Sequence, residues 1–302
     1  MIERSINDPI FHDAAKAREY LESVCWPNGA VCPHCHNNEN VYKLNGKAHR
    51  DGLYKCSKCH KQFTVTVGTL FERSKVSLDK WLMTAYLLCA SKKGHSSHQI
   101  HRMIGVTYKT AWFMTHRIRE AMKDPVLKRQ LGGPCKAVEV DETFWGNKKK
   151  RKGSKGRGYH HKEKIFSLVE RGGSVRSFHV PAVNAKTLKP IMREQIHEDS
   201  VIMTDDMGSY KGVKNDFLGH GICKHSKKEY VRGAIHTNTI ENYFSILKHG
   251  LTGIYQHVGE KHLRRYIGEF DFRYSNRHVS DTERTVIALR GIVGKRLLYT
   301  TP

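Results

Sequence analysis

Apolar side chains recur between residues 78 and 89 as Leu78, Trp81, Leu82, Ala85, Tyr86 and Cys89. That spacing makes one stripe on a helix, and Ser77 is suited to cap it. A Lys92-Lys93-Gly94 break follows, then a short helical stretch from Ser97 to Met103. Gly105 supplies a turn, and Thr107 caps a third helix reaching about Met122. On that helix Ala111, Trp112, Thr115, Ile118 and Met122 form the expected inner face. Lys109, Thr110, Phe113, His116, Arg117 and Glu120 are left outward. Helix, Gly-containing turn, helix is the helix-turn-helix pattern, and Lys109 and Arg117 would then face DNA. A plain bundle of short helices is the alternative.

Past Pro134 the period changes. Residues 137–144, 165–170, 175–180 and 201–206 read as strands, the second and third joined by a hairpin at Gly172-Gly173. Residues 187–196 and 237–248 read as helices, and 227–232 as a short fifth strand. Residues 262–298 are expected to be helical, with Phe270, Phe272 and Tyr274 in the core. The succession is that of an α/β, RNase H-like core, a mixed sheet flanked by helices. Its first and fourth strands lie side by side and carry acids, Glu139, Asp141 and Glu142 on one and Asp205 and Asp206 on the other. A buried carboxylate in a strand is costly unless paired or metal-bound, and oxygen donors suit Mg²⁺ or Mn²⁺. Strand alternation places Glu142 and Asp206 on the face opposite Asp141 and Asp205, whereas Glu139 shares Asp141's face.

Four of the eight cysteines form one pattern, Cys32-Pro33-His34-Cys35 and Cys56-Ser57-Lys58-Cys59, with twenty residues between the pairs. Two such knuckles offer four thiolates to one structural Zn²⁺. The intervening short strands, 41–44, 52–55 and 62–66, make a zinc ribbon in which metal replaces a core too small to hold itself together. A redox pair is the alternative. The ribbon either grips DNA or braces the next domain. Cys25, Cys89, Cys135 and Cys223 read as ordinary thiols, and a metal cluster of His220, Cys223 and His225 is the weaker interpretation of that stretch.

Charge then narrows the partners. The chain of 302 residues carries a formal net charge of +23, spread along its length, and phosphates reward such a field through counterion release. Lys148, Lys149, Lys150, Arg151, Lys152, Lys155 and Arg157 fall in one run between the first two core strands. A solvated loop is the ordinary reading of such a run; beside a metal site it becomes a DNA-phosphate clamp. Tyr255, His257, Lys261, Arg264 and Arg265 extend the basic surface. No apolar run reaches the ~20 residues of a membrane helix. Glu3, Asp8, Asp13, Glu19 and Glu22 argue against a signal peptide. No membrane and no small-molecule substrate is expected.

On the helix of residues 237–248, Asn238, Glu241 and Lys248 share one face, with Ile240, Phe244 and Leu247 opposite. Thirty-five residues separate Asp205 from Glu241, and Lys248 follows Glu241 by seven. That spacing resembles the signature of DDE transposases and retroviral integrases. The wording HTNTIENYFSILKHGLTGIYQH is more specific, as are CPHC with CSKC, GTLFERSKVSLDKW, VEVDETFWGNKKK and HLRRYIGEFDFRYSNR. Over roughly residues 15–290 the chain resembles bacterial insertion-sequence transposases related to Merlin elements, with an N-terminal zinc ribbon and an ISXO-like transposase domain. The resemblance implies Asp141 and Asp205 as ligands of two Mg²⁺ or Mn²⁺ ions. It implies Glu241 or Asn238 as the third catalytic position, Glu241 favoured, and Lys248 as a phosphate-positioning residue. It further implies terminal inverted repeats and target DNA as partners, a homodimer or larger assembly on DNA, and a cytoplasmic, nucleoid-associated location. The expected divisions are an N-terminal helical segment (1–29), zinc ribbon (30–72), helix-turn-helix-like region (73–133), catalytic core (134–258) and a helical extension of that core (259–302). A non-enzymatic DNA-binding regulator, or a nuclease of the same fold without strand transfer, would share these parts.

Overall fold

The computed structural model describes residues 3–123, 129–146, 162–224 and 231–298. In chain order these form α1 (Ala14–Cys25), β1 (Val41–Lys43), β2 (Tyr54–Cys56), β3 (Gln62–Phe63), α2 (Leu78–Ala90), α3 (Ser97–Ile104) and α4 (Tyr108–Met122). Then come β4 (Ala137–Trp145), β5 (Glu163–Glu170), β6 (Val175–Val180), α5 (Ala185–Gln195), β7 (Val201–Asp205) and β8 (Gly219–Cys223). The last are β9 (Val231–Arg232), β10 (Ile235–His236), α6 (Asn238–Gly250), α7 (Glu260–Ser275) and α8 (Asp281–Arg290). No described helix is long and apolar enough to cross a membrane. The chain divides into two compact units, Met1–Asp124 with His278–Pro302, and Pro125–Arg277.

In the first unit β1, β2 and β3 form an antiparallel sheet in that order. Phe63 is buried beneath it with Cys32 and Cys56, and Trp26 at the end of α1 packs edge-on against Tyr54 and Phe63. Such a core is small, as expected where a metal completes the fold. The α2 stripe is buried at Trp81, Leu82, Ala85 and Cys89. Between α3 and α4 Gly105 sits at φ 64°, the left-handed region glycine adopts without strain, and its N–H reaches the His101 carbonyl. Thr107 caps α4 by accepting from the Thr110 N–H at 3.2 Å.

Two expectations change here. His116, placed outward by the sequence reading, is fully buried against Trp112, with ring centroids 4.2 Å apart. Arg117 lies over Phe113 and donates from Nε to the Leu297 carbonyl at 3.3 Å. The Arg117 partner lies far along the chain: residues 278–298 return to this unit. There α8 packs on α2 and α4, and Gly294 N–H bonds to the Gly68 carbonyl. The sequence reading attached 259–302 whole to the core, so the second half of α4 had no partner to cover it. The stretch 262–298, expected to be helical, holds two helices, α7 and α8. Ser280 starts the second as a capping box with Glu283, each side chain bonding the other's backbone N–H.

In the second unit the five-stranded sheet has the order β6-β5-β4-β7-β8. β4, β5 and β6 are antiparallel neighbours; β7 and β8 join as parallel strands. This mixed order with helices on both faces is that of an RNase H-like core. Val138, Val140, Phe166, Leu168 and Ile202 bury one face beneath Leu188 and Met192 of α5. Ile165 and Val169 bury the other beneath Ile240, Phe244 and Leu247 of α6 and Leu263, Ile267 and Phe270 of α7. Each such side chain contributes roughly 1.5–3 kcal/mol of burial, so alternation along β4 and β5 is strongly specified. The fifth strand is β8, not residues 227–232. Of that stretch only Val231 and Arg232 are described, and they pair with β10 in a separate hairpin.

Candidate metal centres

Cys32, Cys35, Cys56 and Cys59 bring their sulfurs within 4.8 Å of one another. Cys32 and Cys59 Sγ lie 3.6 Å apart, as do Cys35 and Cys56 Sγ. That is too long for a disulfide, and it approximates the ~3.8 Å edge of a tetrahedron built on a 2.3 Å Zn–S bond. Backbone N–H groups of Cys59 and Lys58 hold the Cys56 thiol down to about 6, against the effect of burial. The Asn37 N–H also pulls Cys35 down, but burial and the three neighbouring thiols push it up to about 12. Four crowded thiols cannot all ionise without a cation among them, and a sulfur-only tetrahedral donor set fits zinc.

The second cluster stands where β7 ends. β4 and β7 are paired through Ala137–Val201, Val138–Ile202 and Glu139–Met203. Two residues further on each strand stand Asp141 and Asp205. Their carboxylate oxygens, with one from Glu142, lie within 4.8 Å of one another. Alternation does direct Glu142 toward the α5 face, where Tyr210 Oη donates to its Oε2 at 2.6 Å. Beyond Glu139, however, β4 has no partner on the β7 side. The Glu142 carboxylate nevertheless offers an oxygen to the same group as Asp141 and Asp205. Strand alternation alone sets Glu142 apart from Asp141 and Asp205, so its place in this group is not legible from the sequence. Asp206 is exposed and is not in the cluster.

The electrostatics follow from this crowding. Burial raises Asp141 most, and the charges of Glu142, Asp205 and Glu241 add to it, bringing it to about 8. Only the Glu142 N–H, 2.7 Å from Oδ1, works against that. Burial also raises Glu142, opposed by the Tyr210 hydroxyl. Three half-buried carboxylates at such range are a site for a hard divalent cation, and an all-oxygen donor set fits Mg²⁺ or Mn²⁺.

α6 borders this region. Ile240, Tyr243, Phe244 and Leu247 anchor it, while Asn238, Glu241, Ser245 and Lys248 stay exposed along its other side. Asn238 and Glu241 therefore do share a face. Glu241 is the one whose charge is felt at Asp141, and Thr237 Oγ1 donates to its Oε1 at 2.9 Å. Glu139 is excluded from the cluster by its own bonds. Its oxygens accept from Arg171 Nε at 2.6 Å, Thr239 Oγ1 at 2.9 Å and Ile240 N–H at 2.9 Å.

Of the basic residues, Lys109, Lys248 and Arg264 are exposed and Arg265 is half-buried. Arg117 is engaged within its own unit, as described. Lys148, Lys149, Lys150, Arg151, Lys152, Lys155 and Arg157 lie outside the described residues, as does His225. His220 bonds Thr204 Oγ1 at 2.8 Å and Cys223 is buried, and neither joins a metal-binding group among the described residues.

Residues 130–275 match the ISXO2-like transposase domain, and residues 12–62 match the transposase zinc-ribbon domain. A relative from Halobacterium salinarum, described as an uncharacterized protein in transposable element ISH50, is 28% identical over 280 residues. The match covers 87% of this chain and 91% of that one. An uncharacterized transposase-like protein of Haemophilus influenzae is 28% identical over 100 residues, 33% of this chain and 80% of its own.

Proposed function

With both the ISXO2-like transposase domain and the transposase zinc ribbon, the chain belongs to the transposase family of insertion sequences, and from that premise we propose that it cuts DNA at the element's 3′ ends and joins those ends to target DNA. The observation that carries this reading is the meeting of Asp141, Glu142 and Asp205 at the end of the β4–β7 pairing. Asp141 and Asp205 are the proposed ligands of two Mg²⁺ or Mn²⁺ ions. Glu241 is the third catalytic residue in preference to Asn238, because a third carboxylate better offsets two divalent ions. Bound divalent ions would supply charge neutralisation at the phosphate and activation of the attacking oxygen.

The chain's own groups do the rest. The carboxylates define where the scissile phosphate sits. Lys248, exposed in the last turn of α6, holds a phosphate oxygen as a point charge. Hydrolysis breaks one phosphodiester and leaves a 3′-OH. That hydroxyl then attacks a target phosphodiester, one bond forming as another breaks. Lys109, Arg264 and Arg265, with the basic run of residues 148–157, hold terminal repeats and target through their phosphates. The four cysteines hold one structural Zn²⁺. Working on two ends calls for a homodimer or larger assembly, and its place of action is the bacterial nucleoid.

The test uses labelled duplexes ending in the element's own terminal repeat. Wild type is expected to cleave them in Mg²⁺ and to join a pre-cut 3′-OH end to plasmid. Asp141→Asn and Asp205→Asn should lose both reactions, by 10²-fold or more, while retaining binding in a gel-shift assay. Full activity in either variant sinks the assignment. Cleavage without joining marks a nuclease, and binding without either reaction marks a regulator.

A further inference from the structure

α6 begins without a cap of its own. Thr237, at the N-cap position, makes no side-chain bond to the helix backbone; its hydroxyl is committed to Glu241. The first N–H groups of a helix need acceptors. Here one comes from 101 residues back along the chain. Glu139 Oε2 accepts from the Ile240 N–H, and Oε1 accepts from Thr239 Oγ1 in the same turn. Glu139 is completely buried, which is costly for a carboxylate without partners. Arg171 provides one: its Nε donates to Oε1 at 2.6 Å, while its two terminal nitrogens donate to the carbonyls of Ala234 and His236, at 2.7 and 2.8 Å. His236 Nδ1 stands 3.3 Å from the same Oε1. A single carboxylate on β4 thus fastens the start of α6, and Arg171 fastens the approach to it.

The location gives this a meaning beyond stability. Glu139 and Asp141 are two apart on one strand and project to the same sheet face. Glu241 directly follows Ile240. We infer that Glu139 is a positioning residue: it fixes the first turn of α6 against β4, and so sets Glu241 relative to Asp141 and Asp205. The inference rests on the reading of those three as the ion-holding and catalytic groups. Arg171 completes the device by neutralising the buried charge.

The test compares the zinc-loaded full chain with Glu139→Ala and Glu139→Gln. Gln keeps an oxygen for the Ile240 N–H; Ala does not. Amide exchange over residues 238–247, read by mass spectrometry, should quicken in the Ala variant and recover in the Gln variant. Mn²⁺ titration followed by electron paramagnetic resonance should show about tenfold weaker binding in the Ala variant, again recovering with Gln. Thr239→Val, which removes one bond to the same carboxylate, should move both readouts the same way and serves if the Ala variant does not fold. Unchanged exchange overturns the inference. Faster exchange with wild-type Mn²⁺ affinity reduces Glu139 to a cap and also overturns it. A wild type that binds no Mn²⁺ at Asp141 and Asp205 is a different failure, that of the functional reading, and the Asp141→Asn control identifies it.

Discussion

Asp141 shows how one residue couples architecture to chemistry. Its carboxyl is raised to about 8, chiefly by burial and then by Glu142, Asp205 and Glu241. An unfolded aspartate titrates near 3.9. The folded protein therefore holds this proton where the unfolded chain has lost it. The stability it confers is complete below pH ~4 and is lost as pH rises through about 8. Metal-free Asp141→Asn should accordingly melt a few degrees above wild type at pH 9, and the gap should close toward pH 4. Added Mn²⁺ should raise the wild-type midpoint and leave that of the variant unmoved. Scanning calorimetry across that range checks both; a pH-independent gap would contradict the crowding described. At this scale the sequence was only partly legible. Alternation assigned faces correctly to Asp141, Glu142 and Glu139. It could not reveal that the Glu142 carboxylate joins those of Asp141 and Asp205, nor that Glu139 is consumed by Arg171 and α6.

Elements announced themselves where local chemistry and burial agreed. α2, α4 and α6 carry clean apolar stripes, and the buried strands β5 and β7 are runs of large apolar residues. β8 was hidden because its sequence, Gly219-His220-Gly221-Ile222-Cys223, reads as a turn. The structure explains the glycine. A Cβ at Gly221 would stand 2.6 Å from Met203 Sδ and 3.1 Å from Ile235 side-chain carbons, so β8 approaches its neighbours at a distance other residues forbid. Gly221→Val should cost about 1–3 kcal/mol, seen as a lower urea midpoint. Because β8 flanks β7 up to Asp205, cleavage should fall as well. The capping box at Ser280 was legible in principle from the S-x-x-E spacing, but the apolar periodicity on both sides masked the break.

For the whole molecule, the Cys32–Cys59 sulfur cluster and the Asp141–Asp205 carboxylate cluster belong to two different units, and their losses should be separable. Cys56→Ser should reduce bound zinc from one per chain to none by elemental analysis. It should open residues 32–63 to protease while the unfolding transition of the Pro125–Arg277 unit persists. Simultaneous loss of both units would show that the ribbon is not an independent support. The membership of residues 278–302 in the first unit also has a consequence for synthesis. On a ribosome, residues 1–124 emerge first, yet α2 and α4 must wait for α8 before their buried faces are covered. The Pro125–Arg277 unit can therefore finish folding before the unit that precedes it in the chain. A product that stops before His278 would pair a folded Pro125–Arg277 unit with a first unit whose α2 and α4 still lack α8.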